Sequence, residues 1–152
     1  MTNTSTSTSP SLTLRHTYDA PRARVFEAWT KPEIAATFLG PAEVKATNIT
    51  MDVREGGAYS ITMLKPDGEE LVASGTYREV LVPERLVMTW RWREDDPADE
   101  HETLLTLEFN EQGAGTELVL THAQFASEES RDNHSHGWGS ILDKLAALDL
   151  RT

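Results

Sequence analysis

Apolar and polar positions alternate with a period of two along most of the chain, and helical spacing interrupts that pattern in two places. Residues 12–18 put Leu12, Leu14, His16 and Tyr18 on one side and Thr13, Arg15 and Thr17 on the other, as a half-buried strand requires. Proline is tolerated in a first helical turn, so Asp19, Ala20 and Pro21 start a helix whose apolar side is Val25, Phe26 and Trp29. Thr30 and Glu33 have the T-x-x-E spacing of a capping box, which predicts a second short helix carrying Ile34, Phe38 and Leu39 and ended by Gly40 and Pro41.

Between residues 43 and 122 the alternation fits six more strands. Val44 and Ala46 fall on even positions whereas Ile49, Met51 and Val53 fall on odd ones, so the first of the six needs one extra residue in a bulge, which would also curve the sheet. Gly56 and Gly57 turn into Tyr59, Ile61 and Met63, and a proline-led turn at Lys65, Pro66, Asp67 and Gly68 leads into Leu71, Ala73, Gly75 and Tyr77. After a break at Val82, Pro83 and Glu84, one face holds Leu86, Met88, Trp90 and Trp92. The acidic segment 94–100 makes a hairpin tip, Thr103, Leu105, Leu107 and Phe109 follow, and residues 110–115 turn into Leu118, Leu120 and His122.

Ser127 is placed to cap a last helix with Glu128 and Glu129 in its first turn, and Trp138, Ile141, Leu142, Leu145 and Leu148 recur at helical spacing. Continuous to Leu148, that helix is about 30 Å long. The order strand, two short helices, six strands, long helix predicts an α+β fold. In it, one curved antiparallel sheet of about seven strands buries a single face under the terminal helix. Residues 11–150 read as one domain, and the Ser/Thr-rich residues 1–10 as a disordered tail.

The chain has 152 residues, enough for one sizeable core without metal or disulfide support. It contains no cysteine, which removes disulfides, thiolate nucleophiles and cysteine-based zinc sites from consideration. A formal net charge of -11 with scattered basic residues argues against a nucleic-acid partner. No apolar run reaches the length of a membrane span and the first residues lack the features of a signal peptide, so the reading is a soluble, cytoplasmic protein without membrane insertion.

Six ordered motifs carry a family likeness that covers about residues 12–148. They are Phe38-Leu39-Gly40-Pro41; Asp52 and Arg54 with Gly56 and Gly57; Pro66 with Gly68; Gly75 with Tyr77 and Glu79; Pro83, Glu84, Arg85 and Leu86; and His134 with Gly137 and Trp138. Together they resemble the activator of heat-shock protein 90 ATPase homologue family, within the START-like or SRPBCC superfamily. The resemblance implies a helix-grip fold, a curved sheet wrapped around a long C-terminal helix with a cavity between them. The family's eponymous co-chaperone also carries a separate chaperone-binding domain, for which this chain has no room. The superfamily's ligand-cavity role is therefore the favoured expectation, ahead of chaperone association or a stress response.

The candidate chemistry is sparse. On a helix two residues turn by roughly 200°, so His134 faces the sheet with Trp138 while His136 points outward, and a metal shared by the two is not expected. Two readings of His134 stand side by side, a hydrogen-bonded residue closing the core and a polar group of a pocket. Glycine in a helix interior costs about 1 kcal/mol relative to alanine, so Gly137 and Gly139 suggest a close backbone approach, a ligand or a bend.

Asp52 and Arg54, two apart on one strand face, are expected to form a structural ion pair. The acidic tip lacks the spaced ligands and glycine of an EF-hand loop and reads as solvated. No G-x-S-x-G elbow and no glycine-rich phosphate loop opens a helix. The expected ligand-binding set is Phe38, Tyr59, Tyr77, Trp90, Trp92, His101, His134 and Trp138, taking a small hydrophobic or amphipathic molecule without cofactor or metal. The alternative is a cyclase- or hydratase-like enzyme, in the manner of polyketide cyclases, using His101 and His134 with Tyr59 or Tyr77 as hydrogen-bond donors.

Overall fold

The computed structural model describes residues 9–40, 43–96, 98 and 100–148. Residues 1–8 of the expected tail, Pro41 in the expected helix stop, and Pro97 and Asp99 in the acidic tip lie outside the described residues. Pro10, inside the expected tail, accepts a hydrogen bond from the Phe125 amide.

Seven strands form one antiparallel sheet: β1 (Leu12–Tyr18), β2 (Lys45–Met51), β3 (Ala58–Leu64), β4 (Glu70–Leu81), β5 (Arg85–Trp92), β6 (Thr103–Gln112) and β7 (Gly115–Ala123). Their spatial order is β1-β7-β6-β5-β4-β3-β2. Strands β2 to β7 thus form a meander, and β1 returns to its far edge, pairing Leu12 with His122 and Tyr18 with Thr116. Helices α1 (Arg22–Thr30) and α2 (Pro32–Ala35) occupy the connection from β1 to β2, and α3 (Glu128–Ala146) closes the chain. This curled half-barrel around a terminal helix is the helix-grip architecture.

The expected bulge lies in β2, where the register with β3 shifts between Ala46 and Asn48. A second bulge, between Tyr77 and Glu79 against β5, leaves no phase slip among the apolar residues before it. Three expectations need correction. Thr30 does not cap α2, because its hydroxyl donates back to the Phe26 carbonyl at 3.1 Å; Lys31 takes the N-cap position without a side-chain bond. Helix α2 ends at Ala35, so Phe38 and Leu39 are buried from the turn that follows it. The β6–β7 turn is tighter than residues 110–115, because pairing continues to Gln112 and Gly115.

The sheet's inner face is built as alternation dictates. Leu86, Leu105, Leu107, Phe109, Leu118 and Leu120 are all buried, and Trp138, Ile141, Leu142 and Leu145 of α3 share their core. Phe26 of α1 meets Phe109 edge-on at 5.2 Å between ring centroids. Three hydrogen bonds from two side chains hold α3 to the rest at its C-terminal half. The Tyr18 hydroxyl donates to the Leu142 carbonyl at 3.1 Å, and the Lys144 ammonium donates to the Gly40 carbonyl at 2.6 Å and the Val44 carbonyl at 3.3 Å. Burial, with the Lys45 charge nearby, holds the Lys144 pKa below its ordinary value. The Asp52–Arg54 pair forms at 2.8 Å, as its spacing predicts, and being exposed it adds little stability.

Gly75 marks the tightest approach within the sheet. A Cβ there would fall 2.0 Å from the Thr89 carbonyl oxygen. Thr89 itself is heavily used: its hydroxyl accepts from the Thr76 amide at 2.9 Å, and its carbonyl accepts from the Tyr59 hydroxyl at 2.5 Å. Gly75→Ala is therefore expected to destabilise the fold by roughly 3 kcal/mol, because backbone rather than a pliable side chain must move. Urea unfolding measures it, and a loss below about 0.5 kcal/mol, the range of ordinary surface changes, would show that β4 and β5 can part without penalty.

Candidate functional site

Strand β5 delivers Trp90 and Trp92 to the inner face, and α3 places His134 and Trp138 one helical turn apart on the stripe that meets them. Ser127 starts that helix, its side chain accepting from the Ser130 amide at 3.1 Å, and so sets the phase of every residue after it. The result is an interlocked group of rings. Trp90 lies edge-on to Trp92 at 5.5 Å and to Trp138 at 5.1 Å, and Phe125 lies 4.4 Å from His122 and 4.9 Å from His134.

Two polar chains run through this group. Trp92 Nε1–H donates to His134 Nε2 at 2.8 Å, so the proton of the neutral ring sits on Nδ1, which donates to the Ser130 carbonyl at 2.7 Å. Trp138 Nε1–H donates to His122 Nδ1 at 2.9 Å; His122 Nε2–H then donates to Thr103 Oγ1 at 2.6 Å, and the Thr103 hydroxyl donates to the Trp90 carbonyl at 2.9 Å. Each histidine is satisfied as the neutral form and has no nitrogen left over. Burial, reinforced by neighbouring His134, pushes the His122 pKa down to about 3. Burial also lowers the His134 pKa, against the opposing hydrogen bond to Ser130.

Beside these chains opens a cavity of about 520 Å³ between the β3–β4 hairpin, the end of β5 and the N-terminal half of α3. Its apolar wall is Met63, Leu71, Val72, Trp90, Trp92, Trp138 and Ile141; His134 and Asn133 are polar groups of α3 beside it, and Glu69, Glu70, Arg93, Glu94 and Asp95 also line it. Of the eight residues expected at a ligand site, Trp90, Trp92, His134 and Trp138 line this cavity. The other four lie elsewhere. Phe38 is buried edge-on against Trp29 at 5.1 Å, and Tyr59 and Tyr77 are buried side by side at 5.5 Å. Burial raises the pKa of both tyrosines, which therefore stay protonated. His101 is exposed, with Nε2 2.7 Å from the Gln124 carbonyl oxygen.

His134 answers to both readings of it, since it closes the core and faces the cavity; His136 is exposed as its phase predicts. Among the described residues no group of three or more potential ligands is arranged for a metal ion. Gly137 lines the cavity, whereas a Cβ at Gly139 would meet open space. Sequence reasoning placed His122 on the inner face yet passed over it as a functional group. The signal was present, an ionisable residue in step with Leu118 and Leu120 at a core-facing position.

A curled sheet gripping a terminal helix, with an indole-lined space between them, defines a ligand-binding domain in general terms. The chain belongs to the family described as activator of Hsp90 ATPase homolog 1-like protein, whose model matches residues 19–148. Among solved structures it is similar to protein CV1439 from Chromobacterium violaceum, at 26% identity over 93% of this chain and 98% of that one, with a TM-score of 0.84. It is also similar to CalU16 from Micromonospora echinospora, at 30% identity over 89% of this chain and 73% of that one, with a TM-score of 0.67. The AHSA1 protein from Silicibacter pomeroyi shares the fold with a TM-score of 0.82, at 24% identity over 91% of this chain and 96% of that one. No curated protein matches the chain.

Proposed function

We propose that residues 11–150 form a single domain that binds a small apolar or amphipathic molecule in the cavity between β3, β4, β5 and α3. The observation that carries this reading is the cavity itself. At about 520 Å³ it falls in the size range of small-molecule sites, and three indoles with Met63, Leu71 and Ile141 give it an apolar wall opposite a polar, charged rim. The ligand's polar end would meet His134, and its apolar body the Trp90, Trp92 and Trp138 rings.

A thermal-shift and native mass-spectrometry screen of lipids, aromatics and polyketide-like compounds tests the proposal. A ligand at about a hundred times its Kd adds about 2.7 kcal/mol, which raises the Tm of a domain of this size by roughly 5–10 °C. Leu71→Trp, which fills the space from β4, is expected to abolish the shift and the mass adduct while leaving the unliganded Tm nearly unchanged. The proposal fails if no compound shifts the parent protein, or if Leu71→Trp binds as well as the parent does.

A further inference from the structure

Given the cavity as a ligand site, its surroundings bear on which ligands it takes, and three independent features favour one sign of charge. The mouth carries Glu69, Glu70, Glu94 and Asp95 against Arg93. Lys65 neutralises Glu69 at 2.8 Å, while Glu70, Glu94 and Asp95 have no cation within ion-pair distance among the described residues. The wall is made of indoles, whose ring faces carry negative electrostatic potential and attract cations. The polar atom facing inward is a lone pair: His134 spends its proton on the Ser130 carbonyl, so Nε2 can only accept, and a ligand N–H or O–H would compete there with Trp92. Trp90 Nε1–H has no hydrogen-bond partner among the described residues, but it is fully buried, so it is not offered to the cavity as a donor for anions.

We propose that the cavity discriminates by charge, preferring an apolar body that ends in a hydrogen-bond-donating ammonium over the same body ending in a carboxylate. An amine brings a charge that the rim and the indole faces attract and an N–H that competes with Trp92 for the one His134 lone pair. A carboxylate meets repulsion from Glu70, Glu94 and Asp95 at the mouth, with only Arg93 and the Asn133 amide to set against it. A neutral alcohol supplies the donor without the charge and belongs between the two.

Calorimetric titration of the intact chain at neutral pH with decylammonium, decan-1-ol and decanoate tests this. Decylammonium is expected to bind about tenfold more tightly than decanoate, from the rim field together with the indole faces. Exposed rim charges are screened within about 8–10 Å at moderate salt, so the gap should narrow severalfold in about 0.5 M NaCl. It should narrow likewise in the Glu70→Gln, Glu94→Gln, Asp95→Asn triple variant. Equal binding of all three compounds, or tighter binding of decanoate, overturns charge selection and leaves the cavity reading standing. Binding of none of the three removes the cavity reading and this inference with it. A tenfold gap that survives both high salt and the triple variant would assign the preference to the indoles and His134 and overturn the part given to the rim.

Discussion

Between pH 6.5 and pH 3 the fold is expected to lose on the order of 4–5 kcal/mol through His122 alone. The unfolded chain protonates this imidazole near pH 6.5, whereas the folded protein resists until about pH 3. Across that window the unfolded state holds one more proton, so stability is full above pH 6.5 and falls as the pH drops. The cause is local. Protonating His122 Nδ1 would turn the Trp138 bond from donor-to-acceptor into donor-against-donor, in a place with no water to compensate. His134 has a lowered pKa as well and adds to the loss with the same sign.

The measurement is urea unfolding of the wild type and His122→Gln from pH 7 to pH 5, above the range in which most carboxylates take up protons. The wild type should lose about 2 kcal/mol more than the variant across that range. Parallel curves would mean that His122 is not held neutral. Imidazole nitrogen shifts provide a second check, since the ring should still show a single protonated nitrogen, Nε2, at pH 5.

Trp138→Ala is expected to remove about 3–5 kcal/mol, a large share of the stability of any single domain. Trp138 is 2% exposed, with its ring centroid 6.1 Å from that of Trp29 of α1 and 5.1 Å from that of Trp90 on the sheet. Truncation opens a void where these rings meet and also strips His122 Nδ1 of its donor. Trp138→Phe helps to separate the two contributions, because it removes the N–H and part of the bicyclic ring but keeps an aromatic ring in place; it should cost about 1–3 kcal/mol. Chemical denaturation of the pair decides it, and a loss under about 1 kcal/mol for the alanine variant would contradict the packing described.

The strands were legible because alternation over Leu12–Tyr18, Ala58–Leu64 and Arg85–Trp92 records which side of a sheet each residue faces. The β2 bulge was legible for the same reason, as a change of phase between Ala46 and Ile49. Ser127 and the Trp138, Ile141, Leu142, Leu145 stripe fixed α3. What periodicity does not carry is distance along or across the sheet. It cannot place β1 beside β7, a contact between residues about a hundred positions apart, and it gives Tyr59, Tyr77 and Trp90 the same inward direction although only Trp90 borders the cavity.

Local motifs failed where another partner lay nearer. Thr30 has capping-box spacing, but the end of α1 offers its hydroxyl a nearer carbonyl. His101 and His134 look equivalent as histidines, yet one follows β5's acidic hairpin tip and the other projects from the gripped helix. His122 was hidden by its company, since a polar residue among leucines reads as an exception to the pattern until Thr103 and Trp138 come into view.

All four tryptophans of the chain stand in one line of neighbouring rings, Trp92 to Trp90 to Trp138 to Trp29, at 5.5, 5.1 and 6.1 Å. Indoles this close exchange excitation far faster than they emit, so ultraviolet light absorbed by any one is shared among the four. The molecule therefore carries a built-in optical probe whose colour and polarisation answer to a single locale. An occupant beside Trp92 and a loosening beside Trp29 would both be read in the same emission band.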